Sequence, residues 1–451
     1  MTINFDSWRA GHVAPVRQEL TVVAPRTLAL KLEPISPRLK GELIHPNRGA
    51  TIGDIKFSPD GKRVIAGDYP GGVLAVWEVT SGNLLSTIDT GYGSRSSLKY
   101  FCVAPDWKTV YAAREKRSYQ RVEQDGKPAI KWTFDGDFRA WRLPDGSLLR
   151  VHKHQPPRGI WWMTLAPDGR TLLTAEHLSG VSAAGYRSTL GLWDVKSGAP
   201  RSISELHAGP FAVFAPDGRS IAITSQDAEG NAHALKLIDA DTGREKWVIP
   251  ISGANASLYT RGFSPDGRVL FTTLGHMPRA RKWDEMQISL QWVDAANGHQ
   301  VASFECDKKD DFAHVEISPE GRTLAAVNMR SDKRKLYLFS VPEKRLRRTV
   351  ILGEDTPELS LRATSCTFSP DGRWLAIVTR QVPKKRTADA IDPGDLPQPR
   401  ILLVYVATGD IRETIIAPQG FSNNACFSPD GRTLASDGRG RVLLWDMTKL
   451  P

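Results

Sequence analysis

Eight near-copies of one short turn recur along this chain of 451 residues, and no other feature narrows its fold as much. They read FSPDGK from Phe57, VAPDWK from Val103, LAPDGR from Leu165, FAPDGR from Phe214, FSPDGR from Phe263, ISPEGR from Ile317, FSPDGR from Phe368 and FSPDGR from Phe427. Their prolines, Pro59, Pro105, Pro167, Pro216, Pro265, Pro319, Pro370 and Pro429, stand 46, 62, 49, 49, 54, 51 and 59 residues apart, which is the length of one four-stranded β unit with its loops. Ser, Pro, Asp and Gly in that order suit a type I turn, because Pro presets φ at its second position and Gly closes it. Short apolar runs follow the turns: TLLTA from Thr171, SIAIT from Ser220, TLAAV from Thr323 and WLAIV from Trp374. Such runs are what strands covered on both faces require. The 38 Gly and 30 Pro punctuate the chain too often for long helices or coiled coils, so the expected class is all-β.

A third strand in each unit ends in a second motif. RSTLGLWDVKSG (Arg187 to Gly198) and RVLLWDMTKL (Arg441 to Leu450) carry a Trp-Asp pair, and on these residues the chain resembles the WD40-repeat β-propeller family. Aligning the other units places Trp77, Trp141, Trp193, Ile238, Val293, Phe339, Val404 and Trp445 at the Trp position. Glu78, Arg142, Asp194, Asp239, Asp294, Ser340, Tyr405 and Asp446 take the Asp position. The first position stays apolar throughout, as packing between blades demands, so Trp77, Trp141, Trp193, Asp194, Trp445 and Asp446 are expected to be structural. The resemblance implies an eight-bladed propeller of four-stranded antiparallel blades over residues 39–451, with residues 1–38 as an N-terminal extension. A seven-bladed ring is the alternative, because the second unit has a degenerate turn at VAPDWK. The last unit reaches only its third strand before Pro451, and LKGELIHPNRGA (Leu39 to Ala50) precedes the first. A strand from this segment is therefore expected to complete the final blade and remove free sheet edges.

Length variation is concentrated between the second and third strands of the units. In an up-and-down sheet those connections emerge on one face, which makes that face the candidate binding surface. The insertions are basic: REKRSYQRVEQDGKPAIKW (Arg114 to Trp132), HMPRARKW (His276 to Trp283), MRSDKRK (Met329 to Lys335) and RQVPKKRTADAIDPGDLPQPR (Arg380 to Arg400). Arg114, Lys116, Arg117, Arg279, Arg281, Lys282, Arg330, Lys333, Arg334, Lys384, Lys385 and Arg386 are the candidate partner contacts, together with Trp161 of the unusual Trp161-Trp162 pair. A strand places successive side chains on opposite sides, so one of those two rings is expected in the core and the other either at the surface as a contact or, in the favoured case, packed in the core as well. The alternative for the charge runs is loop tips kept solvated. The cation after each turn (Lys62, Lys108, Arg170, Arg219, Arg268, Arg322, Arg373 and Arg432) sits on its own blade and is read as packing its stem along it.

The net charge of +10 permits an anionic partner without requiring one. No phosphate loop, dinucleotide fingerprint, HExxH or GxSxG motif occurs, and no cofactor or metal site is expected. His152 and His154 share a strand face without a third ligand, while His207 is expected to tie a loop to its blade. Cys102, Cys306, Cys366 and Cys426 form no CxxC pair, so they read as free thiols, three of them on first strands near the central channel. With no apolar run long enough to span a bilayer and no signal-peptide core, the expected location is the cytoplasm. The function these readings imply is a non-catalytic, monomeric scaffold that binds an acidic or phosphorylated protein on its insertion face. Two alternatives are a propeller hydrolase or lactonase with its site in the channel, and salt-dependent nucleic-acid binding by the basic loops.

Overall fold

The computed structural model describes residues 34–450 apart from 70–71, 92–100, 125–126, 154–156, 183–186, 202–207, 227–231, 252–255, 277–286, 308–309, 330, 385–396 and 419–422. Its strands form eight antiparallel sheets, and the ring they make is an eight-bladed β-propeller. Blade 1 runs Thr51–Phe57, Arg63–Tyr69, Val73–Glu78 and Leu84–Asp89 from the channel outward. Blade 2, the degenerate unit, is a full blade beginning with Phe101–Val103, Thr109–Gln124, Lys127–Arg142 and Leu148–Lys153. The seven-bladed alternative is thereby excluded. Trp107 replaces the turn glycine there by adopting φ 56°, close to the 69° of Gly61, a left-handed conformation that a large side chain takes only when its surroundings hold it. Trp107 gains that support by packing on the apolar cluster between blades 1 and 2.

Blade 8 confirms the closure. Ala425–Phe427, Thr433–Gly438 and Arg441–Asp446 are joined on the outside by Leu39–Ile44, with Glu42 opposite Leu443 and Ile44 opposite Arg441. The seam is bolted by Arg38, whose guanidinium binds Glu413 of blade 7 and donates to the Asp446 carbonyl at 2.8 Å. Ser36 N–H already donates to the Ile416 carbonyl.

There is no single core. Eight apolar clusters occupy the eight interfaces between consecutive blades, including the one between blades 8 and 1 where Leu43, Ile52 and Trp77 meet Val442 and Leu444. Because the blades stand radially, Val64 and Ala66 face blade 8 while Ile65 faces blade 2. The middle strands are consequently apolar at every position instead of alternating. All eight residues at the Trp position are buried, and each points into the interface with the preceding blade.

The turns work as their sequence predicts. Gly61 N–H donates to the Ser58 carbonyl at 2.8 Å, Ser58 Oγ donates to Asp60 Oδ1 at 2.6 Å, and that oxygen accepts the Lys62 N–H at 3.0 Å. The carbonyl of the following cation is equally fixed, for Lys62 O accepts Val79 N–H at 2.8 Å and the same bond recurs in all eight blades. The eight cationic side chains themselves are exposed. No helix is long and apolar enough to cross a membrane among the described residues.

Candidate functional site

Antiparallel order puts the first-to-second and third-to-fourth connections of each blade on one face of the ring. The second-to-third and blade-to-blade connections lie on the other. On that second face the blade 2 insertion is not a loop. Thr109–Gln124 and Lys127–Arg142 pair residue for residue from Thr109 opposite Arg142 to Gln124 opposite Lys127, an unbroken hairpin that continues beyond the blade. A short strand in the blade 3 insertion, Gly180–Ser182, adds to its side in register, Gly180 opposite Trp132 and Ser182 opposite Ile130. Ser179 Oγ also accepts the Phe134 N–H at 2.9 Å. Two insertions from neighbouring units thus form one three-stranded sheet, and each buttresses the other.

The period of two along the hairpin sorts its side chains. Arg117, Tyr119 and Arg121 stand opposite Phe134, Trp132 and Ile130 on one face. Tyr119 is 62% exposed, its ring 5.3 Å from that of Trp132. From Trp132 a chain of rings descends to Phe134 at 6.2 Å, to His177 at 5.0 Å and to Trp161, which stacks on His177 at 5.4 Å and 14°. The sheet is therefore anchored to the first strand of blade 3, Arg158–Leu165. That strand holds the Trp pair, but the rings do not take opposite sides. A bulge between Ile160 and Trp162 breaks the alternation, and both indoles are half-buried against the cluster between blades 3 and 4.

The other candidate contacts scatter. Lys116 and Arg117 are exposed on the hairpin, opposite Asp135 and Phe134, and Arg114 lies in the same strand opposite Asp137. Lys333 is exposed and pairs with Glu354 at 3.1 Å. Arg334 is not on the surface: its side chain is 1% exposed, and Nη2 binds the Ser331 carbonyl at 2.7 Å and Asp355 at 3.3 Å. Lys384 reaches the same Asp355 at 3.6 Å, so one carboxylate offsets a cation from each of blades 6 and 7. Arg279, Arg281, Lys282, Arg330, Lys385 and Arg386, with His154 and His207, lie outside the described residues. His152 is a packed ring, 4.4 Å from Phe138 and 6.1 Å from Trp193, and burial lowers its pKa.

Reading the sequence alone missed a set of buried polar residues closing the second strands on this face. Asp68, Glu176 and Asn328 each lie seven residues after the turn glycine of their unit, and that spacing was the available signal. Asp68 accepts from Asn47 Nδ2 at 3.0 Å and from Val73 N–H at 2.6 Å. Glu176 accepts from Thr174 Oγ1 at 2.5 Å and from Arg158 at 3.1 Å, while Trp193 Nε1 donates to Thr174 Oγ1 at 3.0 Å. Asn328 donates to Asp310 at 2.7 Å, which also receives Lys335 at 2.7 Å and Tyr337 at 2.5 Å. These bonds fasten the insertion-face loops to the blades.

The channel carries a sparser set. Lys56 lies 2.9 Å from Asp54, with Cys102 and Cys426 close by, and burial lifts both thiols to about 12. At that value they stay protonated and unreactive. Glu316 of blade 6 is raised to about 7 by burial, and Cys366 nearby is raised well above its ordinary value. Among the described residues no group of three or more His, Cys, Asp or Glu is arranged to hold a metal ion.

Comparison with known proteins agrees on the fold. No family model matches the sequence, and no curated protein does. The C-terminal WD40 domain of Sif2 superposes over 90% of this chain and 98% of its own with a TM-score of 0.60 at 11% identity. Hydrazine synthase of Kuenenia stuttgartiensis matches over 64% of this chain and 76% of that one, with 18% identity and a TM-score of only 0.44. At these identities the likeness to the WD40 domain establishes a WD40-like propeller fold.

Proposed function

We propose that this propeller is an interaction scaffold that holds a protein partner on its insertion face, with the raised sheet of blades 2 and 3 as the principal contact. One observation carries the reading: two separate insertions combine into a braced sheet that presents Arg117, Tyr119, Arg121 and Trp132 on a single face. Tyr, Trp and Arg are the residues that dominate binding energy at protein interfaces, and a sheet that is already ordered loses little entropy on binding. Solvated loop tips need neither a second strand nor a chain of packed rings. The basic residues around the sheet favour an acidic or phosphorylated partner.

The test is affinity capture from lysate of the source organism, beside a variant in which residues 118–133 are replaced by an Asn-Gly turn, which leaves Arg117 opposite Phe134, and whose fold is checked by circular dichroism. A protein retained by the wild type at moderate salt and lost by the variant supports the reading. Nucleic acid that washes off as salt rises, and is displaced by any polyanion competitor, would replace it with an electrostatic one.

A further inference from the structure

Arg345–Glu354, the outer strand of blade 6, opens with Arg345, Arg347 and Arg348 at the face of the ring opposite the insertions. Its pairing explains how three arginines come together. Phe339 stands opposite Leu346 and Leu338 opposite Arg348, so Arg347 is the extra residue of a β-bulge. The alternation of sides breaks there, and Arg347 and Arg348 open onto one groove with Arg345. That groove, of about 200 Å³, lies between blades 6 and 7 and is completed by Thr323, Val406 and Ala407. Arg348 is held in place, since its stem rests on Gly409 of blade 7 where any Cβ would collide with its Cδ.

Charge and size decide what fits. All three arginines are exposed. Arg345 pairs with Glu343 at 2.9 Å, whereas among the described residues no carboxylate pairs with Arg347 or Arg348 and none lines the groove. Blade 7 has the same bulge with Arg412 as its extra residue, but the flanking positions there are Asp410 and Glu413, and Asp410 pairs with Arg412 at 3.0 Å. The bulge thus belongs to the fold, while the unneutralised arginines belong to blade 6 in particular. Guanidinium groups bind tetrahedral oxyanions through paired N–H donors, and three of them suit a doubly charged phosphoryl group. The groove is smaller than the ~300 Å³ at which pockets begin to enclose drug-sized ligands, so it takes one such group and not a whole nucleotide. A flat anionic bilayer would be met by side chains free to spread, and these converge between two blades with one stem pinned.

We propose that the groove between blades 6 and 7 binds the phosphoryl group of a phosphorylated Ser or Thr on a partner protein. Arg347 and Arg348 hold the oxyanion, with Arg345 beside them, and Val406 and Ala407 face the carbon atoms of the modified side chain. The site lies on the face opposite the insertions, so a partner can be held there whether or not the raised sheet binds another.

The experiment titrates the full-length protein into fluorescein-labelled Gly-Ala-phosphothreonine-Ala-Gly at low ionic strength, followed by anisotropy. The phosphopeptide is expected to bind, and the peptides with Thr or Glu at that position to bind about tenfold or more weakly, since they offer fewer charges and acceptors. Arg347→Gln with Arg348→Gln should cost about tenfold or more. Arg170→Gln with Arg219→Gln, which removes two exposed cations from the same face, should change nothing. Arg347→Lys with Arg348→Lys keeps the charge but not the paired donors, and should still lose severalfold. No binding of the phosphopeptide, equal loss in both glutamine variants, or a Glu peptide as tight as the phosphopeptide overturns the proposal. Inorganic phosphate that competes as strongly as the unlabelled phosphopeptide overturns the assignment to a protein side chain. Sedimentation with phosphatidylcholine vesicles containing phosphatidylinositol 4-phosphate, lost in the Arg347→Gln, Arg348→Gln variant while the phosphopeptide fails to bind, replaces it with a lipid headgroup.

Discussion

At the residue scale, carboxylates in this ring are pushed in opposite directions by their surroundings, and two predictions follow from the signs. Glu316 lines the channel, and burial raises its pKa from the ordinary 4.5 to about 7. The folded protein holds the proton more tightly than the unfolded chain, so stability falls as the pH rises between those two values. Glu316→Gln should remove that slope and raise the melting temperature at pH 8 relative to pH 5. The gain at high pH is at most ~3 kcal/mol and smaller in practice, because water reaches the half-buried side chain. Equal slopes for both proteins in thermal melts would show that the channel solvates this carboxylate. Asp194 is displaced the other way, to about 2, by the backbone N–H and the hydroxyl of Ser197 and by Arg201. Its contribution is complete above the ordinary 3.8 and is lost as the pH falls through 2. Asp194→Ala should cost about 1 kcal/mol at neutral pH, read from urea melts, and less as the medium is acidified.

At the scale of the element, a blade is stapled by its third strand. Trp445 is fully buried against blade 7, and its Nε1 donates to Ser436 Oγ at 2.9 Å. Trp445→Phe keeps most of the packing but orphans that hydroxyl, and should cost about 1–3 kcal/mol; Trp445→Ala adds a cavity and should cost about 3–5 kcal/mol. Chemical denaturation separates the two, and a phenylalanine variant as stable as the wild type would show that the hydrogen bond adds nothing net. The strands and turns of such an element were legible in the sequence because each depends on residues close along the chain: the Ser-Pro-Asp-Gly turn satisfies its own polar groups, and the apolar runs declare that both their faces are covered. The bulge at Trp161 was not legible, since an extra residue in one strand is defined only against the partner strand it fails to match. Nor was the fate of Arg334, whose basic run reads like any surface loop until Asp355 arrives from the connection toward blade 7.

At the scale of the whole molecule, eight interfaces in series make closure the vulnerable step. Leu39–Ile44 supplies the outer strand of blade 8, and Leu43 fills the interface with blade 1. A chain starting at residue 34 retains this strand and is the reference against which its loss is measured. One starting at residue 46 leaves Arg441–Asp446 as an open edge and uncovers the apolar residues between blades 8 and 1, and it should melt earlier and associate. Size-exclusion chromatography with thermal melts distinguishes the two, and a monomeric, equally stable shorter chain would mean that the closing strand is dispensable.

The amino-acid sequence alone determined the repeat, the number of units, the residue that fills each interface and the strand that closes the ring. All of these rest on local turn chemistry and on apolar positions recurring at a fixed place in each unit. Only the tertiary structure decided what the insertions are. The segments around Arg114 to Trp132 and Gly180 to Ser182 belong to different units and carry no mutual signal in sequence. They become one sheet because the ring sets blade 2 beside blade 3, where unsatisfied backbone groups and aromatic rings from the two find each other.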